Sequence, residues 1–113
     1  MSESLNVTTV MNRVIKKYLE KIKPIQRRIK GVWLFGSRAR GDYLPDSDYD
    51  LLVIVDKRSK KNLDVIYTAA VDLLMEDLAD ISVKVIPYEV YEKLVNWKTP
   101  FMVNVLKEGI RLV

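Results

Sequence analysis

The chain has 113 residues, of which 49% are apolar, and it carries a formal net charge of +4 with no cysteine and no histidine. This length is that of one compact domain, and the apolar fraction suffices for a core without covalent cross-links. The absence of Cys and His excludes disulfides, thiolate or imidazole metal ligands, cysteine nucleophiles and histidine bases. Any metal site must therefore use oxygen ligands, which favour hard ions such as Mg²⁺, Mn²⁺ or Ca²⁺.

The charge is unevenly distributed along the chain. Residues 1–30 carry a net charge of +6, and residues 31–113 a net charge of −2. A basic segment of this kind is most often a solvated helix face, and contact with nucleic acid, a polyphosphate or an acidic partner is the alternative. No run of residues is apolar enough to span a membrane, and the N-terminal segment lacks the apolar core of a signal peptide. We therefore expect a soluble, cytoplasmic protein.

The first predicted element is an amphipathic helix. Apolar residues recur at helical spacing over residues 7–22, and Ser4 or Asn6 is the candidate cap. Pro24 should interrupt this helix. Helical structure is expected to resume over residues 25–30, where Ile25 and Ile29 continue the pattern.

Two strands and their connecting loop are predicted next. Residues 32–35 form a short apolar run that ends at Gly36-Ser37, and residues 41–47 have the composition of a turn. Residues 49–55 form a second strand, whose apolar run hardly alternates, so we expect both of its faces to be covered. Residues 57–61 form a basic loop.

The second half of the chain has the patterning of an α/β domain. Its predicted elements are a helix over residues 63–78 capped by Asn62, a strand over 81–86 closed by Pro87, a short helix over 90–95, a last helix opened by Thr99-Pro100 and ended by Gly109, and an edge strand over 110–113. The whole order predicts an α/β (α+β) fold with a small mixed sheet and helices packed mainly on one face. No linker or repeat divides it, so residues 1–113 are expected to form a single domain.

A glycine turn after the first strand has the features of a phosphate site. Gly36 permits a tight turn and a close approach of the backbone to a ligand. If a short helix begins at Ser37, its free N–H groups and its dipole favour phosphate. Arg38 and Arg40 could add positive charge, or could instead form salt bridges with the nearby loop aspartates.

Two aspartates begin the second strand. Asp48 and Asp50 are two residues apart, which places both carboxylates on the same face of a strand. Adjacent anions raise each other's pKa unless a cation lies between them. A hard divalent ion prefers such ligands together with phosphate oxygens. A phosphate turn joined by one loop to a carboxylate pair therefore indicates metal-assisted phosphoryl transfer.

These residues resemble the signature of a known enzyme family. Gly36-Ser37-Arg38-Ala39-Arg40-Gly41 is followed by Ser47-Asp48-Tyr49-Asp50-Leu51. This arrangement resembles that of the minimal nucleotidyltransferases (MNT), within the DNA polymerase beta-like superfamily, and the match is strong over residues 31–56.

The resemblance implies an activity, cofactors and partners. It implies transfer of a nucleotidyl group, usually AMP from ATP, with Mg²⁺ or Mn²⁺. Asp48 and Asp50 would be the catalytic metal ligands. The expected nucleotide contacts are Gly36, Ser37, Arg38, Arg40, Ser47 and Lys84. Many members resemble antitoxins that pair with a HEPN-domain protein and adenylylate it, so a HEPN-domain protein is the expected partner.

One position departs from the family pattern. Members usually carry a third carboxylate on the next strand, which completes the metal site and helps to deprotonate the attacking hydroxyl. The matching position here is Ser82 or Lys84, and neither is acidic. Asp80 precedes the strand and is out of parity or out of reach. We therefore expect nucleotide binding to be better preserved than transfer, with Lys84 binding phosphate and disfavouring a second metal ion.

Three functions remain open from the sequence. The first is a nucleotidyltransferase acting on a hydroxyl of a partner protein. The second is a weak or inactive module that keeps the fold and serves as an antitoxin-like partner. The third, a nucleic-acid binder using the basic first helix, ranks last. A homo-oligomer is also possible, and an apolar patch near Trp97 and Phe101 would suit a protein contact, although core packing is the simpler role for these residues.

Overall fold

The computed structural model describes the backbone of residues 7–113 and the side chains of residues 11–113. In chain order its elements are α1 (Val7–Lys21), a 3-10 helix (Lys23–Arg28), β1 (Ile29–Phe35), α2 (Ser37–Arg40), β2 (Tyr49–Val55), α3 (Lys60–Asp77), β3 (Ile81–Pro87), α4 (Tyr88–Asn96), α5 (Pro100–Glu108) and β4 (Ile110–Arg111). This order matches the predicted one, including a short helix that begins at Ser37. The predicted caps at Ser4 and Asn6 lie outside the described residues.

The four strands form one mixed sheet in the order β3-β2-β1-β4. Strand β1 runs antiparallel to β2 and to β4, whereas β2 and β3 are parallel. Parallel neighbours need a long crossover, and α3 provides it. The sheet and its helices confirm the predicted α/β class.

The larger core lies on the face of the sheet that α1 and α3 cover. From β2, Leu51 and Val53 contribute to this face, and Tyr18 of α1 and Leu73 of α3 pack against it with almost no exposure. The Tyr18 hydroxyl donates a hydrogen bond of 3.0 Å to the carbonyl oxygen of Ile66 in α3. This bond satisfies a polar group inside an apolar layer.

A smaller core lies on the opposite face of the sheet. Leu52 and Ile54 of β2 point this way and pack with Met102 and Val105 of α5. The five residues from Leu51 to Val55 are therefore all buried. This explains the unbroken apolar run of β2, and it agrees with helices packed mainly, but not only, on one face.

Two element boundaries differ from the sequence-based expectation. The pattern predicts helical structure at both Ile25 and Ile29, but Ile29 is extended and begins β1, because it pairs with Val55 at the far end of β2. The pattern also predicts Asn62 as the cap of α3. The cap is Ser59, whose hydroxyl accepts a hydrogen bond from the Asn62 N–H at 3.1 Å.

Helix α1 is tied to α3 by charge as well as by apolar packing. The Lys17 ammonium lies 3.0 Å from a carboxylate oxygen of Asp77 and 3.2 Å from one of Glu76. Lys21 lies 3.0 Å from the other Glu76 oxygen. Part of the basic character of residues 1–30 is therefore neutralised within the fold. Over the described part of the chain, none of the helices has the length and apolar character needed to cross a bilayer.

Candidate active site

The turn after β1 has a backbone conformation that only glycine adopts readily. Gly36 has φ 74° and ψ −158°, and a Cβ atom placed there would overlap the Asp50 carboxylate. Its carbonyl oxygen accepts hydrogen bonds from the N–H groups of Ala39 and Arg40, both at 3.1 Å. The four-residue helix α2 then ends at Gly41, whose φ is 89°. The turn thus brings the start of α2 against the carboxylate face of β2.

The register of the sheet sets the position of Asp50. Asp50 pairs with Phe35 of β1 on one side and with Ser82 of β3 on the other. It is half-buried, whereas Asp48, one residue before β2, is exposed. The two-residue spacing places both carboxylates on the same side of the strand. The structure therefore brings Gly36, Asp48 and Asp50 together, as the sequence predicts.

The electrostatic environment of Asp50 reflects this arrangement. Burial raises the pKa of the Asp50 carboxyl above its usual value, and the negative charge of Asp48 raises it further. The positive charges of Lys84 and Arg40 act in the opposite direction. A cation bound beside Asp50 and Asp48 would lower the electrostatic cost of keeping both carboxylates ionised.

Arg38 lies inside the protein instead of facing a ligand. Only 4% of its surface is exposed. Its Nε donates to the Ser47 carbonyl at 3.0 Å and its Nη2 to the Pro45 carbonyl at 3.1 Å. Its guanidinium carbon lies 3.9 Å from the centre of the Tyr49 ring and 4.8 Å from that of Tyr43. In place of the ligand contact expected from the sequence, Arg38 holds the loop over residues 41–48 against α2.

Ser47 is also engaged within this loop. Its hydroxyl accepts a hydrogen bond of 2.9 Å from the Leu44 N–H, and its own N–H donates to the Leu44 carbonyl at 3.0 Å. These two bonds close the turn immediately before Asp48. Ser47 therefore helps to position the first carboxylate, and its expected nucleotide contact stays a prediction.

Two positive side chains border the carboxylate pair. Arg40 is exposed, and its Nε lies 3.4 Å from Asp42, which is the salt bridge that the sequence left as an alternative to ligand contact. Lys84 is exposed on β3, and its Nζ lies 5.9 Å from the centre of the Phe101 ring. Phe101 packs edge-to-face on Phe35, with ring centres 5.3 Å apart.

This aromatic pair forms a wall beside the site. The sequence analysis did not predict the contact between the two rings. Phe35 lies at the end of a strand and Phe101 in a distant helix, so only the fold shows that they meet. Phe101 packs in the smaller core, as the simpler expectation has it, whereas Trp97 is 69% exposed.

The position opposite Asp50 on β3 carries no carboxylate. The register assigns this position to Ser82, and it pairs Lys84 with Leu52. Asp80 precedes β3, and its backbone carbonyl accepts a hydrogen bond of 2.8 Å from the Tyr49 N–H at the start of β2. Even so, among the described residues no three acidic side chains are grouped closely enough to hold a metal ion.

Sequence comparison identifies relatives of this chain. The sequence profile of the family described as nucleotidyltransferase domain matches residues 13–113. A protein of Methanocaldococcus jannaschii, named as a candidate protein adenylyltransferase, is 37% identical over 98 residues. That alignment covers 86% of this chain and 92% of the relative.

Solved structures share the fold. A candidate nucleotidyltransferase from Sulfolobus solfataricus aligns with a TM-score of 0.59 at 21% identity, over 96% of this chain and 84% of the other. A toxin–antitoxin complex with AMP-PNP and a mutant of the toxin–antitoxin pair MntA–HpeT both align with a TM-score of 0.53, at 20% and 18% identity. Each covers 90% of this chain and 71% of the other.

The Gly36 turn yields a first prediction. Gly36→Ala should destabilise the protein by about 1–3 kcal/mol from backbone strain alone, and it should displace the Asp50 carboxylate. Gly41→Ala is the matched control, because Gly41 also has a positive φ but has no atom within 4 Å of an added Cβ. We expect it to cost about 1 kcal/mol. Denaturant unfolding measures both, and equal losses would contradict the steric contact with Asp50.

The raised pKa of Asp50 yields a second prediction. The ionised form is disfavoured in the fold, so its destabilising effect appears as pH rises through the ordinary value of 3.8 and is complete above the folded-state pKa. In EDTA at neutral pH, Asp50→Asn should therefore be more stable than wild type, by less than about 1 kcal/mol because the group is partly solvated.

Thermal unfolding across pH checks this expectation. The gain should vanish below pH 3.8, where the carboxyl is neutral in both states. Asp46→Asn, in the exposed loop, controls for removal of a carboxylate elsewhere. A loss of stability for Asp50→Asn at neutral pH would show that ionised Asp50 is favourably solvated in the fold.

Proposed function

The chain belongs to the nucleotidyltransferase domain family, and on that premise we propose that it binds Mg²⁺–ATP and transfers AMP to a hydroxyl of a partner protein. The observation that carries this proposal is the contact between the Gly36 turn and the carboxylate face of β2. That contact supports the proposal because the turn, which would bind phosphate, lies directly beside the Asp50 carboxylate, which with Asp48 would hold the metal ion. Both are parts that metal-assisted nucleotidyl transfer requires.

The donor set suits one magnesium ion. Asp48 and Asp50 would hold it, and Mg²⁺ in nucleotide sites commonly takes one or two carboxylates, with phosphate oxygens and water completing an octahedron. The burial and mutual repulsion that raise the Asp50 pKa would be offset by this charge. When bound, the ion would neutralise charge on the reacting phosphates.

The groups around the pair suit a triphosphate. Ser37 opens α2 beside the pair, and its hydroxyl and the local N–H groups would contact the β and γ phosphates. Arg40 and Lys84 bring two positive charges that act on Asp50 and border the same space. Lys84 is exposed and can turn towards an incoming phosphate without breaking a core contact.

The proposed reaction is a displacement at the α-phosphorus of ATP. The acceptor hydroxyl oxygen forms a bond to this phosphorus, the bond to the oxygen that bridges to the β phosphate breaks, and pyrophosphate leaves. The hydroxyl proton must pass to a base. Ser82 lies opposite Asp50 and Lys84 follows it on β3, and neither supplies the third carboxylate that family members usually carry, so we propose that the acceptor protein supplies this base.

A protein acceptor is supported by the relatives and by the position of β3. The M. jannaschii relative is named for protein adenylyltransferase activity, and two of the solved structures are toxin–antitoxin assemblies. Strand β3 is at the edge of the sheet, and Ser82 and Lys84 are exposed there. A second protein can therefore reach the position beside Asp50. By the MNT resemblance, we propose a HEPN-domain protein as this partner.

A second candidate function rests on the same position. With Ser82 in place of a carboxylate, the site can bind Mg²⁺–ATP and still transfer AMP slowly or not at all. The chain would then serve as an antitoxin-like binding module. This alternative predicts nucleotide binding and a stable complex with the partner, without AMP on that partner.

Calorimetric titration of ATP tests the proposed site. ATP should bind in the presence of Mg²⁺ and not in EDTA, and Asp48→Asn/Asp50→Asn should abolish binding because the ion loses both ligands. Asp46→Asn, an exposed aspartate of the adjacent loop, should bind as wild type does. Absence of binding by the wild-type protein would contradict the proposed function. Mass spectrometry of the co-purified partner then separates transfer from binding alone.

Substitution at Ser82 tests the missing ligand. Ser82→Asp should restore a third carboxylate opposite Asp50, and we expect it to lower the Mg²⁺ concentration needed for half-maximal ATP binding by about tenfold, equivalent to about 1.4 kcal/mol. Ser82→Asn has a similar size without the charge and should leave the Mg²⁺ dependence unchanged. An unaltered dependence in Ser82→Asp would show that position 82 does not reach the metal pair.

A further inference from the structure

The basic residues of the chain are concentrated in two short segments. Residues 23–30 and 57–61 contain eight of the 19 basic residues and none of the 15 acidic ones, so together they carry +8 and the rest of the chain −4. The first segment spans the 3-10 helix and the start of β1, and the second follows β2 and includes the first two residues of α3. The two segments are called the basic end below.

Backbone and side-chain contacts hold the two segments side by side. The Asp56 N–H donates to the Arg28 carbonyl at 2.8 Å, and the Arg28 Nη1 lies 3.2 Å from the Asp56 carboxylate. Lys61 lines a cavity of about 380 Å³ together with residues 23–28. Asp50 and Asp56 are six residues apart on an extended chain, a distance of about 20 Å. The basic end is therefore a surface separate from the candidate active site.

Most of the positive charge at the basic end is not neutralised within the fold. Arg28 is paired with Asp56, and Lys60 with Asp64 at 2.7 Å. The other six basic residues of this surface are exposed, and they form no ion pair with any residue that the structure describes. Like charges gathered in this way repel one another and attract a polyanion. The basic end thus has the charge pattern of a polyphosphate-binding surface.

An aromatic cavity adjoins the basic end on the face of the sheet that carries the smaller core. Its volume is about 520 Å³, and its lining consists of Lys30, Trp33, Ile54, Tyr88, Tyr91 and Arg111. Pro87 pairs with Val55, which places Tyr88 at the end of the sheet where residues 57–61 follow β2. The rings of Tyr88 and Tyr91 lie 5.9 Å apart, and Tyr88 is 43% exposed. A cavity of this size admits one nucleoside unit.

Positive charge extends from the basic end into this cavity. Lys30 belongs to both, and its carbonyl accepts a hydrogen bond of 3.3 Å from the Arg111 Nη2. The Arg111 Nε donates to the Val113 carbonyl at 2.8 Å, and its guanidinium carbon lies 6.0 Å from the centre of the Trp33 ring. These two bonds use two of the five guanidinium N–H groups. Within the described part of the chain, no acidic side chain lines the cavity.

We propose that the basic end and the aromatic cavity form one binding site for single-stranded nucleic acid. The phosphates contact the unpaired cations, and one base stacks on the exposed ring of Tyr88. Proteins that bind single strands combine a basic groove with aromatic rings on which unpaired bases stack, whereas the bases of a duplex are already stacked on one another. An acidic polypeptide would pair with the cations and leave the rings unused. The site does not depend on nucleotidyl transfer, because it lies about 20 Å from the carboxylate pair.

Fluorescence anisotropy of labelled oligouridine and oligothymidine, each about 12 nucleotides long, tests the proposal with the full chain. The titrations are made in EDTA, which removes the metal ion from the proposed Mg²⁺–ATP site. Both strands should bind, and a DNA duplex of equal length should bind at least about tenfold more weakly. With about four phosphates contacted, the affinity for single strands should fall about 50-fold between 50 and 200 mM salt.

Three outcomes of these titrations overturn the proposal. The first is that neither strand binds at 50 mM salt. The second is that the duplex binds as tightly as the single strands. The third is that labelled polyglutamate of equal charge binds as tightly as the strands, because the surface then recognises negative charge alone and an acidic protein is its partner.

Substitution of two cations tests the basic end. Lys57→Gln/Arg58→Gln should weaken binding of both strands by at least about tenfold at 50 mM salt and should reduce its salt dependence. Arg13→Gln/Lys16→Gln is the matched control, because it removes two exposed basic residues from α1. This control should bind as wild type does. A loss of binding in the α1 variant alone would place the nucleic acid on the first helix and overturn the proposal.

Substitution of one ring tests the aromatic cavity. Tyr88→Ala should weaken single-strand binding by about tenfold even at 200 mM salt, because stacking is lost and no charge is removed. Tyr67→Ala is the matched control, since Tyr67 is also a helical tyrosine and is 41% exposed. It should leave the affinity unchanged, and circular dichroism verifies that both variants fold. Wild-type affinity of Tyr88→Ala would show that no base enters the cavity, which overturns the proposed site.

Discussion

The contact between the Gly36 backbone and the Asp50 carboxylate is the constraint on which the candidate site depends. It exists because β1 and β2 pair with Phe35 opposite Asp50, so the residue that follows Phe35 must turn directly over the carboxylate. A side chain at position 36 would occupy that space. The turn, the short helix after it and the carboxylate pair are therefore one structural unit, and the register of two buried strands determines its geometry.

The strands were more predictable from the sequence than the helix surfaces. The unbroken apolar run of β2 predicts a strand covered on both faces, which the structure confirms. Ile29 fits a helical pattern locally and joins β1 only because β2 offers it a partner, which is a tertiary effect. In α3, Leu73 and Leu74 have equal apolar character, and hydrophobicity alone does not tell which one meets the sheet. The structure buries the first and exposes the second.

Within the site, residue spacing predicted the positions of carboxylates better than the roles of arginines. A two-residue interval on a strand places Asp48 and Asp50 on one side whatever the rest of the fold does. The direction of Arg38 depends on a loop that folds back nine residues later along the chain, and its burial between two tyrosine rings follows from that loop. The spacing of residues in the sequence does not predict how this loop folds back over Arg38. The parallel register of β2 and β3 brings Lys84 near Asp50. From the sequence alone, both Ser82 and Lys84 remained candidates for the position of the third carboxylate.

The short strand β4 has a consequence for aggregation. It pairs with Trp33 and Leu34 of β1, and the N–H of Leu112 donates to the Val32 carbonyl at 2.8 Å. Without this cover, the apolar strand β1 would present a row of unpaired backbone groups on which other chains could assemble. The few residues after α5 thus cover the edge of β1, and we expect damage to them to lower solubility before it alters the candidate site.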